Sequence, residues 1–364
     1  QGLGAYNSLA RIAGSPYVYG SETVIGLYPS TLENADLGWE RTASTNIGLD
    51  YAFLDHRISG SIEFYKAKTT DVLVQRTLPS PTGFSSVWTN LGGLSNKGLE
   101  LQLSTINFKG IRGGFQWTTD FTFSLNRDKI TRLYGDGSDQ DIGNSWFVGE
   151  PIGTLYDLEM AGDLWTEEEL YNGETLANWY PGQIKYIDQN DDKVINAADR
   201  KIIGYREPRY RFSVNNTLSW KNFTLDFYVN SVRGGNGYYK LNNASALNVG
   251  NTDHTLRENL PAVRPYWTPD NGVNNATGVY SAAPASGGIY QDRSFVRLQH
   301  VTLSYKFSPR LLQSLDMKSA QIFISGKNLY TWTKWSGWDP ETASTSSGNH
   351  PSMRNITVGV KLSL

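Results

Sequence analysis

The clearest chemical spacing in the chain lies in "IDQNDDKVINAADRKIIG", which begins at Ile187. Asp188, Asn190, Asp192, Val194, Asn196 and Asp199 fall at positions 1, 3, 5, 7, 9 and 12 of a twelve-residue window. A hard dication wants several oxygen ligands, and this is the ligand spacing of a calcium loop. Asp188, Asn190 and Asp192 would give side-chain oxygens, and Val194 its carbonyl. Asn196 would contribute directly or through water, and Asp199 would close the shell. Ile195 is expected to point inward and pin the loop. Two departures stand out. Lys193 occupies position six, where a left-handed glycine is usual, and Asp199 replaces the bidentate Glu of position twelve. The flanking "GQIKY" reads as extended, so the expectation is an isolated loop with a structural Ca2+, not a helix-flanked sensor. The competing reading is an acidic Asx-turn closed by its own backbone.

Other chemistries find little support. The four histidines, His56, His254, His300 and His350, share no paired spacing. The stretches "SGGIYQ" and "VRGGNGYY" carry glycines but lack the strand–helix frame of a phosphate loop. With no enzyme signature, the chain is expected not to be an enzyme. It has no cysteine, which excludes a disulfide scaffold and a Cys-ligated zinc site. A net charge of −2 gives no case for nucleic acid.

The elements that must hold these residues are strands. In "GGFQWTTDFTFSLNRDK", Phe115, Trp117, Thr119, Phe121, Phe123 and Leu125 share one face, while Gln116, Thr118, Asp120, Thr122, Ser124 and Asn126 share the other. That alternation outlasts the ~5–6 residues of a typical soluble strand and suits a tilted membrane strand of about 9–11. Nine such segments are expected near 45–54, 57–69, 97–107, 114–126, 210–220, 223–232, 294–307, 319–332 and 354–364. A weaker tenth lies near 154–161. Charged residues are 19% of the chain, below the ~25% of a soluble domain, and aromatics reach 13%. The links at 54–56, 109–113 and 221–222 are short, and the one at 308–318 is of medium length. Those at 75–96, 127–209, 234–293 and 334–353 are long, and residues 1–39 read as another loop. Short turns on one side and long loops on the other are the habit of outer-membrane barrels. Within the longest loop, "WTEEELYN" predicts a short helix capped by Thr166, with Glu169 reaching back. Nine or ten long aromatic strands cannot leave both edges open in lipid, so further strands are expected to complete the sheet.

Several blocks resemble the C-terminal barrel of the SusC/RagA family of TonB-dependent outer-membrane transporters. They are "LGWERTASTNIGLDYAFLDHRISGSIEFYKAKTTDVLV", "NLGGLSNKGLELQL", "SFVRLQHVTLSYKF" and "ISGKNLYTWTKWSGWDPE". The opening stretch is similar to an acidic loop the family often carries. The resemblance implies an all-β fold, an antiparallel transmembrane β-barrel. Residues 1–364 would be the C-terminal portion of a 22-stranded barrel, with the plug and N-terminal strands absent. It implies active import of oligosaccharides or peptides across the bacterial outer membrane, with long loops extracellular. The implied partners are the N-terminal half of the same transporter, a SusD-like surface lipoprotein acting as lid, TonB, and outer-membrane lipid. A dimer of such pairs is also implied. A passive porin or surface adhesin barrel is the alternative. On this frame Trp165, Trp179, Trp267, Trp335 and Trp338 are external. They would stack on sugar or a lid, or pack within their own loops. Asp50, Glu63, Glu100, Asp120 and Asp226 would face the interior, lining a solute path or a hydrated wall.

Overall fold

The computed structural model describes residues 8–111, 114–134, 137–171, 181–238, 290–313, 317–335, 339–342 and 352–363. Its main sheet has nine strands. These are β1 (Arg41–Phe53), β2 (Ile58–Thr77), β3 (Ser86–Lys109), β4 (Gln116–Arg132) and β5 (Tyr210–Trp220). They continue as β6 (Phe223–Arg233), β7 (Phe295–Lys306), β8 (Ser319–Thr333) and β9 (Asn355–Ser363). Each strand pairs with its neighbours in the chain, so the sheet is an unbroken meander from β1 to β9. From β4 to β9 every pairing is antiparallel. Lys221, at φ 54, and Asn222 turn β5 into β6, with Trp220 directly opposite Phe223.

The register sorts the two faces row by row. Trp117, Leu218, Leu225, Leu303, Ile324 and Val358 stand side by side across β4 to β9. The adjacent row is Thr118, Thr217, Asp226, Thr302, Ser325 and Thr357. The apolar row is open to the outside: Trp117 is 40% exposed, Leu303 44% and Val358 68%. Water would make such a surface costly, at about 25 cal/mol per Å² of apolar area. Hydrocarbon would not, and the same face carries aromatic pairs toward both strand ends. Phe223 meets Tyr305 at 4.8 Å at one end, and Tyr330 meets Trp332 at 4.8 Å toward the other. These are the marks of a barrel wall with interfacial girdles. Asn216 sits on this face without breaking the rule. Its carbonyl oxygen accepts from Trp117 Nε1 at 2.8 Å and from Thr119 Oγ1 at 2.7 Å.

Two compact units divide the contacts: residues 1–48, 63–99 and 126–154, and residues 49–62, 100–125 and 155–364. The first has a small core of Val72, Ile130 and Leu133, flanked by Val74, Leu94, Tyr134 and Trp146. Asn90 gathers backbone here. Its Nδ2 donates to the carbonyls of Gly38 (2.9 Å) and Asp71 (2.7 Å), and its Oδ1 accepts from the Gly38 N–H (2.9 Å). In the second unit, Leu158, Trp165, Leu170, Ile184, Tyr186 and Ile195 form a separate core within the β4–β5 connection. Ile195 points inward as expected. The capping box also forms as expected: Thr166 Oγ1 accepts from the Glu169 N–H at 3.2 Å, and Glu169 Oε2 from the Thr166 N–H at 3.1 Å.

Two expectations need correction, and one question left open is decided. Residues 1–39 are not simply a loop. Arg11–Tyr19 and Glu22–Thr31 form a hairpin whose turn is Gly20 and Ser21. The link expected over 75–96 shrinks to 78–85, because β2 runs for 20 residues and β3 for 24. Their outer halves pack around Val72 rather than facing lipid, so they need no strict alternation. The weak segment near 154–161 stays out of the main sheet. Thr154–Leu158 pairs instead with Arg200–Tyr205.

Candidate functional site

Among the described residues, chemistry-bearing side chains gather most densely in the acidic loop and at the end of the polar face where β6, β7 and β8 meet the segment 339–341. In the loop, Asp188 is the hub. Its carboxylate accepts the N–H groups of Asn190 (3.2 Å), Asp191 (2.8 Å) and Lys193 (2.7 Å). Asp192 accepts from Val194 N–H at 2.8 Å, and Asn190 Oδ1 from Asp192 N–H at 3.1 Å. Asp199 is fully buried, with one oxygen on Gln189 N–H (3.0 Å) and the other on Asn196 N–H (2.8 Å). Lys193 takes the left-handed conformation expected of position six, at φ 63. Desolvation works to raise the Asp188 carboxyl. The N–H donors of Lys193, Asp191 and Asn190 outweigh it and hold the group below the ordinary carboxylate range. The six expected ligands thus lie in one closed loop, and their side-chain oxygens carry the backbone donors of an Asx-turn array. Among the described residues, no three His, Asp or Glu side chains converge as a metal cluster.

The second place centres on Arg297, whose side chain is 2% exposed. Its Nη2 meets Asp339 at 2.6 Å, its Nη1 meets Glu341 at 2.6 Å, and its Nε donates to Thr331 Oγ1 at 2.9 Å. Asp339 also accepts the N–H groups of Glu341 (2.9 Å) and Ser352 (3.2 Å). Burial pushes the Asp339 carboxyl up, but Ser352, Glu341 and Arg297 together hold it below its usual range. Arg293 completes the clamp, donating Nε to the Pro340 carbonyl (2.9 Å) and Nη2 to the Glu341 carbonyl (2.7 Å). A cavity of about 480 Å³ opens beside it on the polar face, with Arg206, Arg211 and Glu100 in its walls. No spacing in the sequence pointed to this clamp. The only signal was that "SFVRLQH" and "WDPE" are two of the blocks that carry the resemblance.

No protein-family model matches the chain. TonB-dependent receptor P3 of Formosa agariphila is 30% identical over 97% of the chain. The TonB-dependent receptor SusC of Bacteroides thetaiotaomicron is 27% identical over 91%. The chain is similar in sequence to TonB-dependent receptors, SusC among them. It spans about a third of the length of these relatives, 36% of the first and 32% of the second. A solved structure of the RagAB peptide transporter matches the whole of this chain with a TM-score of 0.74 at 23% identity, and 39% of that structure's chain is covered. At that identity the likeness shows the fold alone: part of an antiparallel β-barrel.

The remaining candidate residues have mixed places. Trp165 and Trp335 are buried, at 4% and 5% exposure; Trp165 packs within its own connection, whereas the Trp335 ring lies against Gly237 of another. Trp179, Trp267 and Trp338 lie outside the described residues. Of the interior acids, Glu63 accepts from Asn46 (3.2 Å), Asp120 from Ser104 (2.6 Å) and Asp226 from Thr217 (2.9 Å). These contacts make a hydrogen-bonded polar wall, and Glu100 lines the cavity. Asp226, His300 and Ser325 also line up, with 3.5 Å from Asp226 to His300 Nδ1 and 3.0 Å from His300 Nε2 to Ser325 Oγ. Ser325 lies mid-strand between β7 and β9, and Thr302 Oγ1 shares the same imidazole nitrogen at 2.7 Å. Acyl transfer also needs preorganised donors for an oxyanion. A strand interior spends its N–H groups on the ladder, so this row is part of the polar wall.

Proposed function

We propose that the chain is the C-terminal barrel portion of a SusC-like importer, taking up oligosaccharides or peptides across the bacterial outer membrane. The observation that carries this reading is the meander itself: an apolar, aromatic-fringed face, a polar face, and two exposed edges at β1 and β9. Unpaired backbone along such edges costs several kcal/mol per group in lipid, so β1 and β9 pair with further strands of the same transporter. In this reading the segment between β4 and β5, and the other long connections, face the cell exterior. A SusD-like lipoprotein closes over them, and TonB acts on a plug supplied by the N-terminal half. The similarity to the TonB-dependent receptor SusC supports the TonB and lipoprotein partners, and a dimer of such pairs is part of the same proposal.

Uptake by cells carrying the assembled protein tests this. Labelled oligosaccharide or peptide mixtures should accumulate above the external level, and a protonophore should abolish the accumulation. Equilibration unaffected by the protonophore would instead make the barrel a passive porin.

The acidic loop has a place in the same reading, as a site for a structural Ca2+ held by Asp188, Asn190, Asp192, Val194, Asn196 and Asp199. Each carboxylate oxygen has more than one lone pair, so a cation can share these groups with the N–H donors.

A further inference from the structure

The cavity beside the Arg297 clamp has walls of one dominant charge. Arg206, Arg211 and Arg293 all line it, on a floor of Thr122, Ser213 and Asn230. Register places this floor on a single face: Ser213 lies opposite Thr122 on one side and Asn230 on the other. Two carboxylates share the walls, Glu100 and Glu341, and Glu341 is already engaged by Arg297 at 2.6 Å. Arg293 is held by two backbone carbonyls, which orient its guanidinium without cancelling its charge. Among the described residues, Arg206 and Arg211 form no ion pair. Desolvation lowers the Arg293 pKa and neighbouring Arg211 adds to the fall, while Glu207, Asp339 and Glu341 oppose it without restoring the ordinary value. Like charges drawn together in a partly desolvated pocket repel one another, and an entering anion relieves that repulsion.

The chemistry of the anion follows from the donors. A guanidinium presents a planar fork that fits a carboxylate bidentately. Hydroxyl and amide groups on the floor suit the hydroxyls or amides that flank a carboxylate in a sugar acid or a peptide. A volume of about 480 Å³ fits one such unit, within the usual range of ligand pockets. We propose that this cavity is a cargo subsite for a carboxylate. Arg211 and Arg206 close on the carboxylate, and Arg293 is held ready by the segment 339–341. The carboxylate comes either from an acidic peptide or from a uronate-bearing oligosaccharide. The proposal deepens the import reading and rests on it for the word cargo, while the binding step stands alone.

The test uses the assembled outer-membrane protein in detergent, with four labelled probes: tetra-aspartate, tetra-serine, tri-galacturonate and tri-galactose. One acidic probe should bind at least tenfold more tightly than its neutral counterpart at low salt, and which one names the source. The double variant Arg206→Gln, Arg211→Gln should lose that preference, whereas Arg211→Lys, which keeps the charge, should retain part of it. An unchanged heat-modifiable band on gels verifies that each variant is folded. Equal binding of acidic and neutral probes overturns the proposal, as does a preference that survives the double substitution. If binding fails while energised uptake persists, the import reading is untouched. If the acid preference is found but uptake ignores the protonophore, the subsite stands and the import reading falls.

Discussion

At the scale of single residues, two groups set the loops. The first is the Asp188 hub. If a cation shares its oxygens, millimolar Ca2+ should slow amide hydrogen exchange across residues 188–199 and leave the barrel strands unchanged. Asp192→Ala should remove the effect. Exchange indifferent to Ca2+ would leave the Asx-turn array as the whole account, with the Lys193 ammonium as the reason. The second group is Arg297. Breaking a buried ion pair from one side strands the other charge, at about 3–5 kcal/mol. Arg297→Ala should therefore release the segment around Asp339 and Glu341, seen as proteolytic cleavage there while β7 and β8 stay protected. The pH dependence has a definite sign. Because the folded Asp339 carboxyl is held below its ordinary value, its stabilisation is complete above the unfolded pKa of about 4. It is lost as pH falls through the lower folded value. Cleavage of the native protein should thus rise only in strong acid, and Arg297→Ala should remove that dependence.

At the scale of elements, periodicity was the legible signal wherever a strand has lipid on one side and polar groups on the other. All nine sheet strands were visible for that reason, with ends misplaced where the environment changes. The outer parts of β2 and β3 lie beside the Val72 core, and Asp71, at φ 57, interrupts the strand pattern. The hairpin Arg11–Tyr19 with Glu22–Thr31 was missed because it is exposed almost throughout. With no face to bury, alternation was never imposed, and Gly14, Pro16, Gly26 and Pro29 look like loop residues. Close approach is just as invisible in a one-dimensional pattern. At Gly60, a Cβ would lie 2.0 Å from the Gln102 carbonyl oxygen and 2.7 Å from the Tyr51 hydroxyl. Gly60→Ala must push main chain apart, which at roughly 1–3 kcal/mol should lower the temperature at which the heat-modifiable band converts. A conversion temperature equal to wild type would mean that β2 shifts freely there.

At the scale of the whole molecule, the apolar face should meet lipid. Trp117, Trp220 and Trp332 are 40%, 54% and 52% exposed on it, whereas Trp165 and Trp335 are buried in loop segments. In bilayers containing lipid with brominated chains, a protein retaining only Trp117 and Trp332 should lose most of its fluorescence. One retaining only Trp165 and Trp335 should lose little. Equal quenching of both would contradict the face assignment. The edges β1 and β9 belong to this scale too, since strands exposed along nearly their whole length need partners that the sheet itself does not contain.

The sequence by itself determined the class of fold, the count of sheet strands and the likeness to SusC. Alternation with period two is local, and a strand between lipid and a polar interior must show it. It also determined the turn chemistry of Asp188–Asp199, the inward Ile195 and the Thr166–Glu169 cap, because those contacts fall within a few residues of one another. Only the tertiary structure decided that Arg297 meets Asp339 and Glu341, 42 and 44 residues away. It alone decided that Arg206, Arg211 and Arg293 share one cavity. Register between strands brings those groups together, and register depends on the sum of many pairings rather than on any motif.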